Sequence, residues 1–139
     1  MLLLNEELWQ THKIIKFYCS DSWEQNDTNI ITQSTLNRFK ELLIQSYELN
    51  KESILICDCN KGTNPSITQA LKIGAFMVSI SEQLKNGLLF TIMYAKSAET
   101  CQWIENLLKM YTPIRPIHII TNKKDIKTML LEHNKNLDI

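Results

Sequence analysis

Glycine and proline are scarce in this chain, with three of each among 139 residues, while 44% of the residues are hydrophobic. Long disordered regions have the opposite composition, so we expect a packed protein. No apolar run approaches the roughly 20 residues that a membrane-spanning helix needs, and we therefore expect no membrane span. At this length one domain over residues 1–139 is the expectation.

An excess of either charge is also missing, because fifteen Lys and Arg balance fifteen Asp and Glu. Proteins that bind nucleic acid present a basic face to the phosphates, so we expect no nucleic acid partner. Thirteen of the cations are Lys, and only Arg38 and Arg115 are Arg; with abundant Ile and Asn, this bias indicates an AT-rich genome. No basic segment precedes the first leucines, so we expect no signal peptide and a cytoplasmic protein.

Familiar catalytic and metal-binding motifs are absent as well. None of the four cysteines forms a Cys-x-x-Cys pair; they are Cys19, Cys57, Cys59 and Cys101. The loop around Gly62 lacks the spacing of a phosphate-binding loop. His118 has no recognisable Ser or Cys nucleophile as its partner. We expect reduced thiols, no metal, no cofactor and no enzymatic activity.

Short apolar runs alternate with amphipathic segments along the chain. The runs predict strands at Lys13–Cys19, Ser53–Asp58, Leu88–Tyr94 and Ile117–Ile120. The segments predict helices from Thr32 or Ser34 to Leu49, from a cap at Asn64 to about Lys85, from a cap at Ser97 to Tyr111, and from Asp125 to His133 with a cap at Asn122. This alternation predicts an α/β fold with a mostly parallel sheet of four or five strands covered by about four helices.

The ends and the middle of the chain carry more specific expectations. Residues 1–12 hold either an antiparallel edge strand at Leu2–Leu4 or a short helix at Glu6–Gln10, and residues 20–31 read as a loop. Residues 13–133 form the core, and residues 134–139 are expected to fray. Because Ala70–Val78 is nearly all apolar, its helix is predicted to be the most buried one, with Gly74 and Ala75 allowing close approach to the sheet.

Four segments resemble STAS domains, the fold of anti-sigma-factor antagonists and of sulfate-transporter tails. They are the strand that ends at Asp58, the loop Asn60–Asn64 leading into the helix at Pro65, the strand Leu88–Tyr94 with the helix after Ser97, and the closing strand Ile117–Thr121 followed by Asn122–Asp125. The family begins its central helix with Asp-Ser-Ser-Gly or Asp-Ser-Thr-Gly, where this chain has Asn64–Gln69. The resemblance implies a regulatory domain that binds a protein partner or a second copy of itself.

The expected contact surface is the loop and the start of the following helix. Its candidate binding residues are Asp58, Asn60, Lys61, Thr63, Asn64 and Ser66. The resemblance implies phosphorylation at Ser66 or Thr68, since a helix N-terminus favours a phosphate; ordinary capping is the alternative. Trp23 lies in a polar loop and is a candidate interface aromatic, with Trp9 and Trp103 as further surface anchors. Arg115 and Lys61 would suit an acidic partner.

Two other functions are open. The segment from Tyr94 to Trp103 resembles part of the CRAL-TRIO lipid-binding domain, which implies a lipid or small apolar ligand. Such a ligand needs a cavity between the sheet and the helix over Ala70–Leu84, and a core filled solidly by Phe76, Met77 and Phe90 would exclude it. Alternatively, Asp21 and Asp58 follow predicted strands, where two carboxylates could hold Mg²⁺ in an α/β enzyme.

Overall fold

The structure is a computed structural model that describes residues 2–19, 29–60 and 67–136. These residues form five strands: β1 (Leu2–Asn5), β2 (Ile14–Cys19), β3 (Ser53–Asp58), β4 (Leu88–Tyr94) and β5 (Ile117–Ile120). They also form six helices: α1 (Glu7–His12), α2 (Asn29–Glu48), α3 (Ile67–Ser79), α4 (Ser81–Gly87), α5 (Ala98–Leu108) and α6 (Lys123–Leu131). Within these ranges, no helix has the length and apolar character that crossing a membrane requires.

The five strands form one sheet in the order β1-β2-β3-β4-β5. β1 runs antiparallel to β2, and the three following pairs are parallel. The predicted α/β class is confirmed, but the sheet is mixed and the described residues hold six helices instead of about four. Both alternatives for the N-terminus are present in succession, because Lys13 takes a left-handed conformation (φ 56°) that ends α1 and starts β2.

Side chains alternate between the two faces of the sheet along each strand. On one face Leu55 packs with the apolar residues of α2 and α4, among them Leu43 and Leu84. On the other face Ile54 and Ile56 pack with residues of α6. The nearly uncharged strands are therefore covered by helices on both faces, as continuous apolar runs require.

The helix α2 begins earlier than its capping residues predicted. It already includes residues 29–32, whereas the sequence predicts a loop up to residue 31. The prediction of a start at Thr32 or Ser34 was wrong because Ser and Thr also occur inside helices, so a possible cap does not by itself locate the first turn.

The single long helix predicted up to Lys85 is divided into α3 and α4 at Ile80. On either side of this residue, Ser79 Oγ donates to the carbonyl of Phe76 (2.6 Å) and Ser81 Oγ donates to the carbonyl of Val78 (2.5 Å). Serine hydroxyls that bond to carbonyls of the preceding turn compete with regular helix geometry and bend helices. The bend places Ile80, which is 1% exposed, in the core beside α2.

The expectation that the Ala70–Val78 segment is the most buried helix was wrong. Leu71 is 57% exposed and Val78 is 60% exposed. Nor does Gly74 bring the backbone against a neighbour, because a Cβ placed there would meet no atom within 4 Å. An apolar sequence predicts burial only where a further layer covers the helix, and no described element covers the outer side of α3.

Candidate functional site

A cavity of about 470 Å³ lies between the sheet and the two helices α3 and α5. Its floor consists of side chains from the three strands β3, β4 and β5, namely Leu55, Cys57, Thr91, Met93 and Ile117. Its walls include Ile73 and Met77 of α3 and Ile104 and Leu107 of α5. The lining is therefore almost entirely apolar.

Small side chains on α3 account for much of this space. Ala70 and Gly74 are four residues apart, so they lie on the same side of the helix, and both line the cavity. Neither supplies the volume that a leucine or phenylalanine would place between the helix and the sheet. Three large side chains would exclude a cavity if they filled this space. Phe76 and Phe90 pack into the two core clusters on opposite faces of the sheet, and Met77 lines the cavity without closing it.

The cavity opens to solvent along an apolar rim. Leu71 and Val78 of α3, which are more than half exposed, line it, as do Met110 (64% exposed) and Ile114 (44%) in the connection between α5 and β5. Large apolar side chains that remain exposed around a concave apolar surface are typical of ligand or partner sites.

The connection between α5 and β5 contributes two polar side chains to the lining of this cavity, Tyr111 and Arg115. Among the described residues that line it, only Arg115 carries a charge. Tyr111 lines the cavity too, and its partial burial raises the pKa of its phenol above 10.0, because removal from water disfavours the phenolate. The tyrosine is therefore a neutral hydroxyl at physiological pH.

The predicted contact loop is represented in the structure by its two ends. At the first end, Asp58 Oδ1 accepts hydrogen bonds from the backbone N–H (3.1 Å) and the side-chain amide (3.0 Å) of Asn60. Asn60 Oδ1 in turn accepts from the backbone N–H of Lys96 (2.7 Å), so the pair joins the end of β3 to the end of β4. These contacts give both residues a place in a turn.

At the other end of the loop, Thr68 lies exposed in the first turn of α3. The remaining candidate residues lie outside the described ranges, so their predicted roles stay predictions: Lys61, Thr63, Asn64 and Ser66, with Asp21 and Trp23. The carboxylate pair of Asp21 and Asp58 is untested for the same reason.

Trp9 is not the surface anchor that was predicted. It is 7% exposed, and its indole N–H donates to two buried serine hydroxyls, Ser46 (2.9 Å) and Ser53 (3.0 Å). Trp103 is partly buried on α5. The prediction for Trp9 was wrong because an aromatic residue among polar neighbours in sequence has its partners elsewhere in the fold.

A second, smaller cavity of about 220 Å³ lies near the end of the sheet where β1, β2 and β3 adjoin. Its lining comprises four residues with polar side chains, Asn5, Lys16, Tyr18 and Asp58. In the described ranges, no group of three or more His, Cys, Asp or Glu side chains is arranged to hold a metal ion. This cavity consequently offers one carboxylate and one ammonium, without a ligand set around either.

Comparisons with protein-family models, with curated proteins and with solved structures gave no match to the chain. The apolar cavity is accordingly the feature from which a function can be argued. Sequence reasoning specified the place of such a cavity but missed its rim and its arginine end. The expectation of close packing rests on Gly74 and Ala75, whereas the signal for a cavity is the pair of small residues Ala70 and Gly74 at helical spacing.

Proposed function

We propose that this protein is a binding protein for a small apolar ligand, which occupies the cavity between the sheet and the helices α3 and α5. The observation that carries the proposal is the cavity itself, with its volume of about 470 Å³ and its almost wholly apolar lining. Sites for small molecules in proteins typically enclose about 300–1,000 Å³ and are mainly apolar with a few polar groups.

The hydrophobic effect supplies the driving force for such binding. Leu71, Val78 and Met110 on the cavity rim are each more than half exposed. Covering apolar surface contributes about 25 cal/mol for each Å² removed from water, and an apolar ligand would cover rim and floor together. The proposal corresponds to the function implied by the CRAL-TRIO resemblance and does not depend on membership of that family.

A STAS-like protein-interaction domain remains a prediction. Its proposed contact residues between Lys61 and Ser66 lie outside the described ranges, and Asp58 and Asn60 are engaged in a turn. The apolar ligand is proposed first because the described residues form its cavity.

The test is to fill the cavity from α3. In Gly74→Phe a phenyl ring enters space that holds no atom within 4 Å of the new Cβ, so the fold can accept it. Binding of the neutral dye N-phenylnaphthylamine, whose fluorescence rises in a dry apolar site, is measured by titration. We expect wild type to bind the dye saturably and Gly74→Phe to bind it roughly tenfold more weakly or worse, a loss of about 1.4 kcal/mol or more.

Gly74→Ala is the matched control, because it adds one methyl group and leaves most of the cavity open. Ala70→Phe, one turn earlier on the same side of α3, provides a second filling variant. Thermal unfolding establishes that each variant is folded. Undiminished dye binding by both folded phenylalanine variants, or the lack of saturable binding by wild type, would refute the proposal.

A further inference from the structure

We propose that the ligand of this cavity is an amphipathic carboxylate, bound as a single molecule with its apolar chain between the sheet and α3 and its carboxylate on Arg115. This inference rests on the proposed function and names the chemical class of its ligand. It starts from the position of Arg115, the only charged side chain among the described residues lining the cavity.

The guanidinium group of Arg115 is anchored by one hydrogen bond, while another of its donors has no acceptor in the part of the chain that the structure describes. Its Nη2 donates to the backbone carbonyl of Lys85 near the end of α4, which anchors the side chain beside the cavity. Its Nε is buried and finds no hydrogen-bond acceptor among the described residues. A buried donor without an acceptor is costly, so a group that supplies an acceptor at this point gains free energy.

One carboxylate already stands near Arg115, but it leaves this donor unsatisfied. Glu52 Oε2 lies 3.9 Å from Nη2, beyond hydrogen-bond distance, and both side chains are more than a third exposed (Glu52 46%, Arg115 35%). Ion pairs of this kind contribute little because water screens them. Glu52 therefore acts as a weak competitor that a ligand carboxylate can displace.

The chemistry of the remaining donors selects the ligand's polar end. An arginine presents Nε and Nη in a planar fork that matches the two oxygens of a carboxylate. The neutral hydroxyl of Tyr111 lines the same cavity and can donate a hydrogen bond without adding negative charge. An apolar chamber that ends in one cation thus fits a molecule with an apolar chain and one anionic end.

The experiment compares decanoate with 1-decanol, which share a chain and differ in their polar end. Each competes against N-phenylnaphthylamine on the full chain at neutral pH. We expect decanoate to bind wild type roughly tenfold more tightly than 1-decanol, the size of effect that one charge-assisted contact at a partly exposed arginine produces. Arg115→Met should remove that preference by weakening decanoate binding alone.

Two further variants isolate the role of charge at this position. Arg38→Met removes the other arginine of the chain, whose partners are Glu6 and Glu41, and should leave the preference for decanoate unchanged. Glu52→Gln removes the competing carboxylate and should strengthen decanoate binding two- to threefold, without affecting 1-decanol. Because this change improves binding, it cannot be confused with damage to the fold.

The outcomes separate the two proposals. Saturable dye binding in which decanoate and 1-decanol compete equally overturns the inference about the carboxylate and leaves the apolar-ligand function standing. If folded Arg115→Met prefers decanoate over 1-decanol as strongly as wild type does, the assignment of the carboxylate to Arg115 is overturned. Absence of dye binding overturns both.

Discussion

Trp9 belongs to a buried hydrogen-bond network whose proton positions follow from its distances. Ser46 Oγ donates its single proton to the carbonyl of Leu42 (2.8 Å). The hydroxyl of Ser53, 2.5 Å from Ser46 Oγ, must therefore donate to it, while the Trp9 N–H is shared between the two serine oxygens. The network links α1, α2 and β3, and each buried polar group in it has a partner.

This proton arrangement predicts unequal costs for two similar substitutions. Ser46→Ala leaves the Ser53 hydroxyl without its acceptor and should lower the free energy of unfolding by about 1–3 kcal/mol. Ser53→Ala leaves Trp9 bonded to Ser46 and should cost less. Urea unfolding monitored by tryptophan fluorescence measures both. The double variant should lose less than the sum of the single ones, since the residues share partners; additive losses would contradict the network.

The helices α2 and α4 touch at a position where only glycine fits. Gly87 is buried, and a Cβ built on it would lie 2.5 Å from the carbonyl oxygen of Leu43 and 3.1 Å from its Cα. Those atoms are backbone, so they can move away only if α2 moves as a whole. The same glycine ends α4, and β4 starts at the next residue. The sequence predicts a helix end near this glycine, at about Lys85, but not this close contact.

The two helical glycines consequently respond in opposite directions to alanine. Gly87→Ala should destabilise the protein by about 1–3 kcal/mol, the usual cost of overfilling a packed contact. Gly74→Ala, at a position with open space, should stabilise it by about 0.5–1 kcal/mol because alanine favours the helix. Thermal or urea unfolding of Gly87→Ala, Gly74→Ala and wild type measures both changes in stability. A stable Gly87→Ala variant would show that α2 and α4 are farther apart than described.

Other features of single elements were evident from sequence. The predicted caps are confirmed at Ser97, which accepts from the Thr100 N–H at 3.0 Å, and at Asn122, which accepts from the Asp125 N–H at 2.9 Å. Capping depends on residues within one turn of each other, so a local pattern suffices to predict it. The division at Ile80 could not be predicted in this way, because it depends on where that side chain finds space beside α2.

Near the C-terminal end of the described chain, Lys135 lies close to two other lysines, Lys13 and Lys51. Lys135, which follows α6, donates to the carbonyl of His12 at the end of α1. Burial lowers the pKa of Lys135 below 10.5, and the positive charges of Lys13 and Lys51 lower it further. The contact joins α6 to the N-terminal elements across the whole sequence, at the expense of holding a charged amine partly out of water.

This lowered pKa makes stability depend on alkaline pH with a definite sign. Between the pKa of Lys135 in the folded state and 10.5, the unfolded chain binds more protons, so the free energy of unfolding should rise with pH in that window. Lys135→Met should flatten the rise. Lys123→Met, at the exposed start of α6, is the control and should keep it. The measurement is urea unfolding at a series of pH values, and an unchanged slope in Lys135→Met would contradict the assignment.

The alternation of buried runs and amphipathic segments was enough to predict an α/β fold, because strand and helix periodicity are local properties of the chain. Local patterns also predicted the antiparallel first strand, the caps and the end of α4. The candidate site depended on distant residues instead. Whether Ala70 and Gly74 bring α3 against the sheet or leave a cavity beneath it is decided by how α2, α4 and α5 occupy the same face of the sheet. The meeting of Arg115 with Lys85 and Glu52 likewise exists only after folding, since it joins residues 30 or more positions apart.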